Sequence, residues 1–349
     1  MAASQSSFVR SKAMWIGLLL SLGAVGLLLW RVSFRDLGAA LHTANLIWLV
    51  PCLFVLLAMF VMRSWRWALL LGGTRFVPTW HANMIGYMFN ITFPLRLGEI
   101  ARAYVIAKQE KISLARALSA VLVERLIDLS AVVLMFAAFA LRIPMRPAFT
   151  RAALLGSGVV VLSVLGGVLV VAMGDKVERF LRPRLEARAG KERAETWLAR
   201  FRDIREGFRS VGSAKRMAQC LTLTVLIWAA TIFLAALCLL AFDPGPMDIG
   251  RPGLVVVMAN LGGALPSAPG GLGILQGFAT SALVVPFGVP EGQALAYVLV
   301  WSLSQQLVLV VLGLVSLGRV GLSVGEIRAR ATAGGGQMSE PAALQNHPD

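Results

Sequence analysis

Long apolar runs are the feature that most restricts what this chain can fold into. Six of them reach the roughly 17–25 residues that a helix needs to cross a bilayer; they lie at about 14–30, 46–62, 117–141, 152–173, 217–242 and 293–317. Two further stretches, 80–95 and 253–286, are apolar but interrupted by Gly, Pro or Asn, and each is either a full span or a re-entrant hairpin. We therefore predict an all-α polytopic membrane protein with six full transmembrane helices plus two broken or re-entrant segments, which makes eight hydrophobic segments.

Basic residues flank these runs and predict the orientation of the chain. They occur at Arg10 and Lys12, at Arg63, Arg66 and Arg75, throughout 174–216, and at Arg319, Arg328 and Arg330. Because Lys and Arg accumulate in cytoplasmic loops, we expect both termini in the cytoplasm, below a bacterial-type inner membrane. This orientation gives a single transmembrane domain over 1–320 with a basic cytoplasmic loop at 174–216. The end of the chain, 321–349, is rich in Gly, Ser, Pro and Gln and is expected to be a disordered cytoplasmic tail.

The formal net charge of +15 indicates an anionic partner. In a soluble domain this charge would suggest nucleic acid, but no nucleic-acid-binding motif is present. Charged residues are only 15% of the chain, whereas soluble domains contain about 25%. We therefore expect membrane lipids as partners and no nucleic acid. The three Cys and three His are scattered without metal-ligand spacing, so we predict no metal site and no cofactor.

The segment NITFPLRLGEIARAY, residues 90–104, carries the first candidate site. Arg96, Glu99 and Arg102 recur every three residues and share one helix face, so that Glu99 can pair with both arginines. The remaining positive charge suits a phosphate group, because guanidinium groups bind phosphate oxygens bidentately. A helix that begins near Gly98 would add its N-terminal amides to the same anion site. The alternative is an interfacial salt-bridge cluster that only sets the topology.

A second group of charges lies inside an otherwise apolar span, in the sequence VLVERLIDLSAVV at 121–133. An ionised side chain at the centre of a membrane helix costs about 2.5–3.5 kcal/mol on insertion scales. Glu124, Arg125 and Asp128 must therefore be paired, within the triad or with Arg96 and Arg102. Such charges usually face a bundle interior or a water-filled cavity. The alternative is a buried ion network with a purely structural role.

The third feature is the uncharged segment ANLGGALPSAPGGLGILQGF at 259–278, which contains too many helix breakers for one continuous helix. Unwound backbone at membrane depth lines a cavity or is buried in protein, and transporters place substrate sites in broken helices. The predicted broken-helix gate consists of Asn260, Pro266, Ser267, Pro269, Gly270, Gly271, Gly273 and Gln276. The alternative is a tight loop between two short spans. One interrupted segment in each half of the chain also suggests an inverted repeat.

The motifs RLGEIARAY at 96–104, ERLIDL at 124–129 and LPSAPGGLGILQGF at 265–278 resemble the flippase-like family, also called the lysylphosphatidylglycerol synthase transmembrane-region family. The resemblance covers roughly 10–320. It implies an inner-membrane protein linked to translocation of lipids or lipid-linked glycans, and it extends to relatives encoded with hopanoid synthesis. It also implies functional roles for Arg96, Glu99, Arg102, Glu124, Arg125, Asp128 and the loop 266–273. Where the family often has an acidic residue after the Gly-rich loop, this chain has Gln276, which cannot shuttle a proton.

Three functions are compatible with these features. We favour a translocase of a phospholipid or lipid-linked headgroup and expect no enzyme activity, since no synthase or aminoacyl-transfer domain is recognisable. The second hypothesis is a non-catalytic membrane partner of a complex that makes lipids, hopanoids or cell-envelope glycolipids. It would dock through 197–211, where apolar residues recur at helical spacing among arginines. The third is a membrane-embedded lipid-carrier transferase that uses Glu124 and Asp128.

Overall fold

The computed structural model describes residues 34–93, 97–143, 174–191, 214–242, 249–264 and 273–323, together with residues 158, 162, 194, 195, 197, 198, 271, 325 and 326. These residues form helices and their connections, with no strand among them. The predicted spans 14–30 and 152–173, the disordered tail and most of the amphipathic stretch 197–211 lie outside this part of the chain, apart from single residues.

Ten α-helices and one short 3-10 helix follow one another along the described residues. They are α1 (Phe34–Thr43), the 3-10 helix (Leu46–Trp48), α2 (Leu49–Leu70), α3 (Phe76–Thr92), α4 (Leu97–Glu110), α5 (Leu114–Arg142), α6 (Gly174–Ala189), α7 (Ala214–Leu239), α8 (Gly250–Ala264), α9 (Ile274–Phe287) and α10 (Glu291–Val320).

Three helical segments are long and apolar enough to cross a membrane: Leu46–Leu70, Lys215–Leu239 and Glu291–Val320. At about 1.5 Å per residue, each exceeds the hydrocarbon thickness of roughly 30 Å. Helix α5 is 29 residues long and also contains the acidic and basic triad at 124–128. The prediction of an all-helical membrane protein is therefore confirmed.

Helix α2 extends beyond the predicted end of the second span. The prediction ended this span at 62 and placed Arg63 and Arg66 in the loop that follows, but α2 continues to Leu70. The apolar residues Trp65, Trp67 and the run 68–71 keep the helix buried on one face over two further turns. Both arginines are therefore helical residues, and the interpretation of Arg66 as a loop residue was wrong.

Each interrupted stretch belongs to a pair of short helices. Helices α3 and α4 have 17 and 14 residues, and α8 and α9 have 15 and 14. These lengths correspond to about 21–26 Å, which is less than a full crossing of roughly 30 Å. Asn90 does not break the first helix as predicted. It lies within α3, where its side-chain oxygen accepts a hydrogen bond from the Gly98 amide at 2.9 Å.

The order of helices repeats in the two halves of the described chain. A long helix, a pair of short helices that pack on each other, and a second long helix occur first as α2, α3–α4 and α5, and again as α7, α8–α9 and α10. The packing repeats as well. Helix α3 packs on the last helix of the other half, α10, and α8 packs on α5. The first helices of the two halves, α2 and α7, pack on each other.

Helices α2 and α7 run antiparallel. The amide of Asn45, just before α2, donates to the carbonyl of Ala241, just after α7, at 2.9 Å. Near the other end of the pair, Arg66 donates to Thr224 at 3.0 Å. Because equivalent helices run in opposite directions, the two halves are related by an approximate two-fold axis that crosses the α2–α7 pair. This relation is an inverted repeat.

Short sequence motifs also recur at equivalent places in the two hairpins. The pattern Ala-Asn-x-x-Gly occurs at 82–86 and 259–263, and Pro-x-x-Leu-Gly occurs at 94–98 and 269–273. In the first hairpin, a Cβ atom added to Gly86 would lie 2.7 Å from the Cβ of Arg102. In the second, a Cβ added to Gly262 would lie 2.9 Å from the Cβ of Phe278. Glycine thus allows the same close helix approach in both halves.

Two apolar clusters hold the bundle together. The larger one joins α2, α5 and α7–α10, and the smaller one joins α2–α5 around Trp67, Phe89 and Ile106. The smaller cluster surrounds the buried charges described next.

Candidate functional site

Arg66 of α2 is completely buried and lies in the middle of a group of polar side chains. Its Nη1 and Nη2 atoms donate to the two carboxylate oxygens of Asp128 at 2.8 and 2.9 Å, which is a bidentate ion pair. Nη2 also donates to Oε1 of Glu124 at 3.1 Å, and Nη1 donates to the hydroxyl of Thr224 at 3.0 Å. One arginine therefore joins α2 to α5 by ion pairs and to α7 by a neutral hydrogen bond.

Arg102 of α4 is the second fully buried arginine. Its Nη1 atom lies 2.7 Å from Oε2 of Glu124, and its Nη2 atom lies 2.7 Å from Oε2 of Glu99. Nη1 also donates to the side-chain oxygen of Asn83 at 3.1 Å. The guanidinium carbon lies 4.7 Å from the ring centroid of Trp67, so a cation–π contact covers the remaining face.

Glu124 of α5 connects the two arginines. One of its carboxylate oxygens faces Arg66 and the other faces Arg102. We define the ionic cluster as Arg66, Arg102, Arg125, Glu99, Glu124 and Asp128. Its three positive and three negative charges balance, which explains how so many ionised groups are buried together, because each unpaired ion would cost several kcal/mol.

The ionic cluster opens to the surroundings at Arg125 and Glu99. Nη2 of Arg125 pairs with Oε1 of Glu99. The side chain of Arg125 is 39% exposed and that of Glu99 is 18% exposed, whereas the other four members are at most 10% exposed. We call Arg125 and Glu99 the rim of the cluster. Only the rim can meet a bound molecule without rearrangement of the cluster.

Arg63 of α2 lies next to the cluster and adds positive charge to it. Its Nε atom is buried without a hydrogen-bond partner, as is the Nε atom of Arg125. Both guanidinium groups interact electrostatically with Tyr87. Within the described residues, no carboxylate oxygen comes within 4.0 Å of Arg63. The region around the rim thus has an excess of positive charge.

Most of the predicted charged residues converge, but with partners other than those expected. Glu99 does pair with two arginines, and these are Arg102 and Arg125; Arg96 lies outside the described residues. The carboxylates of Glu124 and Asp128 are neutralised chiefly from another helix, by Arg66. The role of these residues as headgroup ligands stays a prediction.

Sequence reasoning missed Arg66, Asn83 and Thr224. Asn83 accepts from Arg102 and donates to Ser64 at 3.2 Å, so it positions the buried guanidinium. The continuation of the apolar run to Leu71 was the signal for including Arg66 in the second span. Nothing in the local sequence indicates that Thr224 faces Arg66, since that contact depends on the packing of α2 against α7.

The described residues of the predicted gate make hydrogen bonds within the second hairpin and to α10. The amide of Gly273 donates to the side-chain oxygen of Gln276 at 2.8 Å, and Gln276 donates to the hydroxyl of Ser302 at 3.4 Å. Gly271 and Gly273 have φ values of +70° and +86°, which favour glycine. The side chain of Asn260 donates to the Val256 carbonyl of its own helix.

The remaining gate residues lie outside the described part of the chain; they are Pro266, Ser267, Pro269 and Gly270. The contacts of Asn260 and Gln276 are made to α8, α9 and α10 and not to the ionic cluster. The two groups of predicted site residues therefore form separate regions of the molecule. Among the described residues, no three His, Cys, Asp or Glu side chains are grouped so that they could hold a metal ion.

Comparison with known proteins agrees with this membrane architecture. Neither the comparison with curated proteins nor that with solved structures gives a match. The family model described as "Lysylphosphatidylglycerol synthase TM region" matches residues 14–313, which is most of the chain. The chain therefore belongs to the lysylphosphatidylglycerol synthase transmembrane-region family, and this makes it a membrane protein of lipid metabolism or transport.

Proposed function

We propose that the protein moves the headgroup of a phospholipid or lipid-linked substrate across a bacterial-type inner membrane. The observation that carries the proposal is the ionic cluster, a charged group enclosed by the helical bundle but open at an arginine-rich rim. The proposal includes a topology of six spans plus two re-entrant hairpins, formed by α3–α4 and α8–α9.

The depth of the cluster supports a role in transport rather than in surface binding. Glu124 lies ten residues after the first residue of α5, and Thr224 lies ten residues after the first residue of α7. At 1.5 Å per residue these positions are about 15 Å from the helix ends, which is about half of the hydrocarbon thickness. A headgroup that reaches the rim has therefore left the interface and entered the membrane.

Basic side chains at one end of the bundle support a cytoplasmic orientation for that end. The connections and helix termini there carry Arg75, Lys108, Lys111, Lys215 and Arg216. The positive-inside bias assigns such an end to the cytoplasm. The cluster then lies closer along α2 to the cytoplasmic end, since Arg66 is four residues from the last residue of that helix.

The chemistry of the rim suits a phosphate. In this mechanism the phosphate displaces Glu99 from Arg125 and takes the guanidinium edge bidentately. Arg63 supplies the second positive charge. Arg66 and Arg102 remain bound to the carboxylates of the cluster and position the rim. Because Glu124 and Asp128 are both held in ion pairs, the arrangement favours transport over a transferase that needs a free carboxylate base.

The test is headgroup translocation by the purified full-length protein in vesicles, measured with a fluorescent phospholipid whose outer-leaflet pool is quenched chemically. Loss of a hydrogen bond to a charged group is worth about 1.5–3 kcal/mol. Arg125→Ala and Arg63→Ala are therefore each expected to slow translocation by about ten-fold or more.

The matched control is Arg75→Ala, because Arg75 is paired with Glu110 at 3.0 Å and its side chain is 75% exposed. This variant should keep the unaltered rate. Thermal unfolding in detergent verifies that all three variants are folded. Unchanged translocation by Arg125→Ala would contradict the site, and absence of translocation by the unaltered protein would contradict the function.

A further inference from the structure

A cavity of about 190 Å³ lies between α2, α7 and α10. Its wall is almost entirely apolar and includes Leu56, Leu234 and Trp301, with the two thiols of Cys52 and Cys238. The cavity uses the first half of α2 and the last half of α7. It therefore lies at the opposite end of the α2–α7 pair from the ionic cluster.

The approximate two-fold axis relates this cavity to the ionic cluster. The cluster is built from the end of α2, the beginning of α7 and the last helix of the first half, α5. The cavity is built from the end of α7, the beginning of α2 and the last helix of the second half, α10. Helix α5 contributes Glu124 and Asp128, and α10 contributes Trp301 and Gln305, with the same spacing of four residues.

The chemistry of the wall excludes a charged occupant. A headgroup would lose its hydration here and find few hydrogen-bonding partners, so its transfer would be costly. Hydrocarbon has no such cost. An engineered apolar cavity of about 150 Å³ in another protein stays free of water and binds benzene, and the present cavity is larger.

The cavity is open on the side that faces hydrocarbon in a membrane. Leu53 of α2 and Leu307 of α10 line it and are 41% and 67% exposed. Both residues belong to segments that are long and apolar enough to cross a membrane. A lipid chain can therefore enter from the side, between α2 and α10, without passing through water.

We propose that this cavity binds the acyl chain of a membrane lipid. The site lies at the end of the bundle opposite the ionic cluster and takes hydrocarbon where its two-fold counterpart takes charges. The inference is independent of headgroup translocation, because a chain can occupy the cavity in a protein that does not transport.

The experiment uses the full-length protein in vesicles that contain a phosphatidylcholine with a photoreactive diazirine on one acyl chain. Crosslinks mapped by mass spectrometry should be concentrated at 49–56 and 301–308, above the level at exposed apolar residues elsewhere, such as Val225 and Val285. Diacylglycerol with the same diazirine chain should give the same pattern, since the headgroup does not contribute to the site.

Cys52→Phe places a ring in the cavity and should reduce the crosslinks at 301–308 to the level of the surrounding surface. Val50→Phe is the matched control, because Val50 lies on the same helix, is exposed and does not line the cavity. Ser304→Phe fills the cavity from α10 and replaces Cys52→Phe if that variant does not fold.

Three results would overturn the proposal. The first is an even distribution of crosslinks over all exposed apolar positions. The second is an unchanged pattern in a folded Cys52→Phe or Ser304→Phe variant. The third is protection of 49–56 and 301–308 from every lipid probe, which would mean that another part of this chain occupies the cavity.

Discussion

The two ends of the α2–α7 helix pair have equivalent backbones and opposite chemistry. At one end, three arginines and three carboxylates fill the space between α2, α5 and α7. At the other end, the equivalent space between α2, α7 and α10 is a cavity lined by leucine, tryptophan and thiols. An inverted repeat thus dictates where the helices run, and the side chains at equivalent positions decide whether ions or hydrocarbon occupy the space.

The difference predicts unequal sensitivity to substitution, and the largest effect is expected from Arg66→Met. This change leaves Asp128 and one oxygen of Glu124 without a partner, and breaking a buried ion pair costs about 3–5 kcal/mol. The two-fold counterpart of this region contains Cys238, and Cys238→Ala should cost far less because it only enlarges an existing cavity. Reversible unfolding in mixed micelles measures both, and equal losses would refute the comparison.

A double substitution sharpens the same point. Arg66→Met with Asp128→Leu removes a charge of each sign and leaves Glu124 paired with Arg102. Because replacing a buried ion pair by apolar groups is often neutral, the double variant should recover more than about 2 kcal/mol of the loss. A double variant that is as unstable as Arg66→Met would show that the pair itself, and not the stranded carboxylate, sets stability.

The hairpins give the next prediction. A Cβ atom at Gly98 would lie 1.9 Å from the carbonyl oxygen of Gly86, whereas a Cβ at Gly277 meets no atom within 4 Å. Gly98→Ala should therefore destabilise by about 1–3 kcal/mol through overpacking. Gly277→Ala, early in α9, should stabilise by up to about 1 kcal/mol through helix propensity. Thermal unfolding of the two variants in one detergent tests the contrast, and a neutral Gly98→Ala would contradict the close approach.

The smallest effect is expected outside the cluster. Arg75→Ala removes an ion pair with Glu110 in which the arginine is mostly exposed. Exposed pairs contribute about 0–1 kcal/mol, and salt screens them. The loss should fall further in 0.5 M salt, which is about a 4–5 Å screening length. A loss comparable to that of Arg66→Met would mean that Arg75 belongs to the buried network.

The helices and the need to pair the charges of 124–128 could be predicted from the sequence, because apolar run length and the cost of buried ions are local properties. The identity of the partners could not. Glu124 meets Arg66 across 58 positions of the chain, and no helical periodicity encodes that contact. The end of α2 was also missed, since a basic residue in a span looks like the beginning of a loop.

The inverted repeat was open to suspicion from its interrupted segments, but its sequence trace is short. The shared patterns at 82–86 and 259–263 have only three matching positions. Such a match becomes meaningful only when the packing of α3 on α10 and of α8 on α5 places the two segments in equivalent surroundings. The site of the acyl-chain cavity depends wholly on that packing.

Within the described residues, all ion pairs of the cluster connect helices of one half, and only the Thr224 hydroxyl joins them to the other. A neutral hydrogen bond contributes about 0.5–1.5 kcal/mol, far less than the separation of a buried ion pair. The seam between the halves is therefore cheap to shear at this depth, while α2, α4 and α5 stay locked as one block. Rocking of one block against the other needs no separation of charge.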